Sequence, residues 1–148
     1  MCKKLRKYIL PFLFAFCFFV VLGASLKEKS ASLLSSTSVA LNADDETTIY
    51  TVPTGKRCVL SHAILVVGAD AGTTDISIGA DGSETDFIPA TDLANVDAAY
   101  DACKLEPIMA TTSVPKIESY AAGTVIKAKV TNQAGGDTNT LYLFGFLY

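Results

Sequence analysis

From residue 37 to the C-terminus the chain is cut into short runs in which apolar and polar residues alternate, separated by clusters of Gly, Pro, Asn and Asp. A period of two puts successive side chains on opposite faces of a strand. Such runs hide their apolar face only by packing one sheet on another. About seven to nine strands are expected from this punctuation. No repeated long helical pattern accompanies them, so a parallel sheet with helical crossovers is disfavoured. The predicted fold is all-β, an antiparallel β-sandwich of jelly-roll type spanning residues 37–148, with one candidate short helix.

The individual runs differ in character. Residues 58–67 are apolar on both parities, with Val59, Ala63, Leu65 and Val67 on one and Cys58, Leu60, Ile64 and Val66 on the other, the pattern of a central strand. Residues 75–79 set Ile76 and Ile78 against Asp75 and Ser77, and Asp81-Gly82 forms the next turn. The helix candidate is 91–103, where Leu93, Val96, Tyr100 and Cys103 recur at three- and four-residue steps behind an N-cap at Thr91 or Asp92. An irregular loop over one sheet edge is the competing reading. Residues 124–131 place Ile126, Ala128 and Val130 opposite Lys127, Lys129 and Thr131, and Gly135-Gly136-Asp137 is expected to turn them into an antiparallel hairpin with 141–148. That last run carries Leu141, Leu143 and Leu147 on one face and Tyr142, Phe144, Phe146 and Tyr148 on the other. One face serves the core, and the aromatic one is the candidate assembly strand.

The N-terminus is of another kind. Lys3, Lys4, Arg6 and Lys7 precede an apolar stretch over 9–22, and Gly23, Ala24 and Ser25 follow with the small residues a signal peptidase accepts. Residues 1–24 therefore read as a signal peptide or an uncleaved membrane anchor, and 25–36, with Lys27, Glu28, Lys29 and several serines, as a polar linker. Either way the domain is expected outside the cytoplasm, extracellular or at a cell surface, with contact to a membrane only through an uncleaved leader. The leader takes four of the 12 basic residues and none of the 15 acidic ones, so residues 25–148 stand at −7 against −3 for the whole chain. A field of that sign repels nucleic acid and anionic lipid. The pairs Lys56-Arg57 and Lys127, Lys129 are too small to reverse it.

Chemistry-bearing residues are sparse. Cys58 and Cys103, the cysteines that remain beyond the leader, are a candidate disulfide in an oxidising compartment, with two buried free thiols as the alternative. The single histidine, His62, follows Ser61. Neighbours in a strand point to opposite faces, which argues against a serine–base pair. Glu106 and Glu118 lack any established separation for acid–base work. Asp81, Glu84 and Asp86, with Asp70 and Asp75 upstream, invite calcium but lack the ordered ligand series of an EF-hand. The glycines form no phosphate-binding fingerprint. No cofactor, metal or catalytic residue is assigned, and the chain is not expected to be an enzyme.

One stretch carries a resemblance. Thr48, Ile49, Tyr50 and Thr51, the turn Val52-Pro53-Thr54-Gly55-Lys56, then Arg57, Cys58, Val59 and Leu60 resemble the opening of small β-sandwich modules of tailed-phage virions, in fibres, baseplates and head surfaces. A glycine-containing turn at 121–124 before a long strand matches the same modules. The resemblance implies a structural or receptor-facing module in a repeated assembly and transfers no catalytic residue. The function expected is a non-enzymatic structural or interaction module of a virion or cell surface, partnered by copies of itself or another structural protein. The alternative is an exported adhesion module that recognises a surface receptor, a glycan or a protein.

Overall fold

The computed structural model describes residues 30–107, 118–136 and 138–148. The leader expected at 1–24 lies outside them. Residues 31–148 form one compact unit, in which the described residues make nine strands: β1 (Ser32–Val39), β2 (Glu46–Thr51), β3 (Cys58–Val66), β4 (Asp75–Ala80), β5 (Ser83–Asp92), β6 (Ala102–Leu105), β7 (Ser119–Tyr120), β8 (Val125–Thr131) and β9 (Asn139–Leu147). β1 begins inside the stretch expected to be linker, because its backbone pairs with β9 from Ser32 onward.

The strands form two antiparallel sheets. The larger has the order β1-β9-β3-β6 with β7 also on β3, and the smaller has the order β2-β8-β4-β5. The pairings are nested: β1 with β9, β2 with β8, β3 with β6 and β7, and β4 with β5. That nesting is the jelly roll, two sheets made by rolling one long antiparallel ribbon. It also revises the expected C-terminal hairpin. β8 pairs with β2 and β4, whereas β9 pairs with β1 and β3, so 132–138 crosses between sheets instead of closing a hairpin.

The core follows from the alternation. Ile126, Ala128 and Val130 of β8 and Ile76 and Ile78 of β4 face Leu141 and Leu143 of β9 and Leu65 of β3 across the sandwich, all essentially sealed from solvent. Each of the isoleucine, leucine and valine side chains contributes about 1.5–3 kcal/mol by leaving water. β3 departs from a simple period. Its inward residues are Cys58 and Leu60, then Ala63 and Leu65, because its register with β9 slips between Leu60 and His62. One extra residue, Ser61, shifts the phase and moves Val59, His62, Ile64 and Val66 to the outer side.

The helix candidate is not a helix. Thr91 and Asp92 finish β5, and the residues after them turn twice. The Asp92 carboxylate accepts from the Ala94 N–H at 2.8 Å and that of Asp101 from the Ala98 N–H at 3.0 Å. Backbone groups that a helix would use internally go to the β3–β4 loop: the Leu93 N–H donates to Thr74 O (2.9 Å), the Tyr100 N–H to Val67 O (2.8 Å), and Val96 O accepts from Ala71 N–H (2.9 Å). Leu93 and Val96 are buried, but Tyr100, with φ at 71°, turns outward and stands 85% exposed.

Two buried polar side chains hold the crossing loops. Asn139 donates from Nδ2 to Val39 O (3.0 Å) and Gly136 O (2.7 Å), and its Oδ1 accepts from the Gly68 N–H (3.1 Å). The Thr74 hydroxyl donates to Ala71 O (2.6 Å) and accepts from the N–H groups of Ala134 (3.0 Å) and Gly135 (3.1 Å). Gly68 is obligatory beside them, since a Cβ there would lie 2.2 Å from Thr138 O. Replacing Asn139→Ala leaves the Gly68 N–H without its acceptor and takes a donor from Val39 O and from Gly136 O, the latter keeping the Leu41 N–H. It is expected to lower the unfolding free energy by about 2–4 kcal/mol, read as a shifted urea midpoint at unchanged m.

The candidate disulfide is not formed, and Cys58 and Cys103 are both free. Cys103 sits opposite Leu65 in the β3–β6 register, seven residues along β3 from Cys58. That is roughly 20 Å of strand, far beyond disulfide reach. Burial pushes the Cys58 thiol up to about 11 and that of Cys103 upward too. In native protein near pH 8, iodoacetamide is expected to modify Cys103 slowly and Cys58 not at all, with both reacting in guanidinium. The raised Cys58 value means the native state keeps a proton that the unfolded chain, near 9.0, has lost. That contribution to stability is complete below pH 9 and disappears as pH rises through about 11, and Cys58→Ala is expected to flatten the decline.

Candidate assembly surface

The larger sheet turns its second face outward, and three strands make that face apolar. β9 supplies Tyr142, Phe144 and Phe146, and β3 supplies Val59, His62, Ile64 and Val66, all half-buried. β1 adds Leu33, 53% exposed. Cross-strand register sets these residues side by side. Phe144 lies between His62 and Leu33, Tyr142 lies opposite Ile64, and Phe146 lies opposite Val59. The His62 ring lies flat on Phe144, with centroids 4.7 Å apart and planes 5° from parallel.

Three of the four aromatics expected as an assembly strand therefore share this face. Tyr148, the fourth, is 55% exposed at its margin and is held in place. Its backbone exchanges two hydrogen bonds with Arg57 (2.9 and 3.1 Å), and its hydroxyl shares one with Ser119 Oγ at 2.8 Å. Arg57 donates from Nε to the same Oγ and from Nη2 to Ser119 O, each at 3.0 Å. Ser119 first, then Arg57, lower the Tyr148 phenol from its ordinary range.

The β3 bulge also corrects the reading of Ser61 and His62. Ser61 Oγ lies 3.1 Å from His62 Nδ1, a contact that regular alternation forbids. The imidazole is committed to that hydroxyl and to the Phe144 stack.

The smaller sheet presents the opposite chemistry. Lys127 Nζ lies 3.2 Å from Glu46 and 2.8 Å from Asp81, and Lys129 Nζ lies 3.1 Å from Glu46. Hydrogen bonds from Lys129 and then Lys127 hold the Glu46 carboxyl below its usual range, and Asp81 and then Glu46 raise Lys127. Glu84 completes an acidic triplet with Glu46 and Asp81 while accepting from the Gly82 N–H at 2.7 Å. The carboxylates that invited calcium are otherwise dispersed. Asp86 accepts from the Tyr120 hydroxyl (2.9 Å) and the Ala80 N–H (3.1 Å), Asp70 from the Gly72 N–H (2.7 Å), and Asp75 from Asn132 (2.5 Å). Of the two glutamates, Glu106 is ion-paired with Lys104.

No family model and no curated protein matches this chain. Two solved structures do. One is a chain of the acidic stable capsid structure of Helicobacter pylori bacteriophage KHP30, with 17% identity and a TM-score of 0.51, covering 80% of this chain and 92% of that one. The other is a chain of the cyanophage Pam1 capsid asymmetric unit, with 16% identity and a TM-score of 0.45, covering 79% and 84%. At these identities the likeness is one of fold.

Sequence reasoning found the β9 stripe and missed its β3 and β1 neighbours. The pairing of residues 58–66 with 139–147 leaves no local signature, and the Ser61 phase shift hides which parity of β3 faces out. The Arg57, Ser119 and Tyr148 clasp was equally invisible, since 62 residues separate its first two members.

Proposed function

We propose that this chain is a non-enzymatic structural component of a virus particle, incorporated by association with copies of itself or with another structural protein. The observation that carries this reading is the nested jelly-roll pairing, which resembles a phage capsid chain over 92% of that chain's length. Two further features support it. The outer face of the larger sheet carries an apolar patch of Val59, Ile64, Tyr142, Phe144 and Phe146, bordered by Ser36 and Lys104, as surfaces that meet protein partners do. Several side chains able to carry chemistry are engaged: His62 by its stack, Glu106 by Lys104, Glu46 by Lys127 and Lys129, and Asp81 by Lys127. The turn at 52–56 that resembles tailed-phage modules links the two sheets, closed by the Lys56 N–H to Pro53 O at 3.2 Å with Gly55 at φ 73°. We place receptor-facing exposure and delivery by an export-type leader within the same proposal.

The test is location. Particles banded on a density gradient from cells that produce the chain are expected to contain it at a fixed ratio to the major shell protein by quantitative mass spectrometry. Recovery only in the particle-free fraction, as a monomer that binds a glycan reproducibly, would favour adhesion and sink the virion reading.

A further inference from the structure

We propose that the outer face of the larger sheet docks against the same face of a second copy of this chain. The inference deepens the self-association in the reading above by naming the surface and the partner. Three observations converge on it.

The first is extent. With nine residues in β9 and four strands side by side, the face measures about 30 Å by 20 Å, a flat footprint of about 600 Å² before side-chain relief is added. A standard stable interface takes about 800 Å² from each partner. The whole face, with its polar end and Lys104 included, is of the right order to hold one partner.

The second is composition. Aromatic and branched side chains from β9 and β3 form the centre, and polar Ser36, Ser38 and Thr140 lie toward one end. His62 has its ring edge tied to Ser61 and its face on Phe144, so its rotamer is fixed before any partner arrives. Preorganised aromatic centres lose little entropy on docking.

The third is charge, and it selects the face through which two copies can meet. The strands of the larger sheet contain no carboxylate and one cation, Lys104, which is already paired with Glu106. The strands of the smaller sheet contain Glu46, Asp75, Glu84, Asp86 and Asp92 against Lys127 and Lys129. Two copies that both present the smaller sheet bring these acidic layers together and repel. If they meet through the larger sheets, the acidic layers stand about 30 Å apart, three sheet-to-sheet spacings. At physiological ionic strength that is several Debye lengths of about 8 Å, so the repulsion is screened while the apolar faces leave water. Like-with-like pairing of one patch is a two-fold arrangement, which closes at a dimer.

Analytical ultracentrifugation of the full chain at about 50 µM, above the roughly micromolar Kd that the weakest interfaces of this size show, is expected to give a dimer. Ile64→Glu and Phe146→Glu, each on the outer side, are expected to give monomers with unchanged circular dichroism and a Tm within a few degrees of the parent. Lys129→Gln, on the opposite sheet, is expected to leave the dimer intact. A monomeric parent, a dimer that survives both outer-face substitutions, or one abolished by Lys129→Gln would overturn the proposal. So would a monomeric full chain whose residues 31–148 dimerise, because the chain's own N-terminus would then be the occupant. A monomer that still bands with particles would refute this surface and spare the virion reading. A dimer through this face that never enters particles would do the reverse.

Discussion

The Asn139 carboxamide joins three parts of the chain that no local interaction brings together: the end of β1 at Val39, the β8–β9 crossing at Gly136, and the start of the β3–β4 loop at Gly68. A jelly roll needs such a device. Its strands pass repeatedly from one sheet to the other, and each passage buries backbone groups that have left the ladders. Leaving one such group unsatisfied costs about 1–3 kcal/mol. Thr74 does the same for the turn at Ala71 and the amides of Ala134 and Gly135, and Leu41 exchanges backbone hydrogen bonds with Gly135 and Gly136 in the same layer. With the crossings fixed, β9 is placed between β1 and β3, and both of its faces acquire their roles.

Those roles divide the molecule by chemistry. The inner faces share one aliphatic core, the smaller sheet carries an ion-paired lysine and carboxylate surface, and the larger sheet carries an aromatic one. The ion pairs around Glu46 are exposed and contribute little to folding. Their consequence is positional, because they confine charge to one side. The aromatic side is open in the sense that its own fold does not seal it, and Tyr142, Phe144 and Phe146 remain half-buried within one chain.

Where the reading from sequence failed, long-range pairing had overridden a local pattern. Residues 91–103 have helical spacing, yet their amides are used by Val67, Ala71 and Thr74 of another loop, and Tyr100 adopts a left-handed backbone that ends any helix. Residues 124–131 and 141–148 look like a hairpin because a glycine pair lies between them. Each found better burial in a different sheet. Cys58 and Cys103 flank plausible strands, but register set them at separate points along β3.

The alternation of apolar and polar residues determined by itself that this chain would be an antiparallel sandwich, that Ile76, Ile78, Ile126, Ala128 and Val130 would face inward, and that β9 would carry aromatics on one side. Those conclusions need only the two-residue period of a strand. Tertiary structure alone decided which strands became neighbours, and with them the His62 and Phe144 stack, the free thiols, and the union of β1, β3 and β9 into one apolar surface. Such neighbours are chosen by burial and hydrogen-bond satisfaction summed over the whole fold, a quantity that no window of the sequence contains.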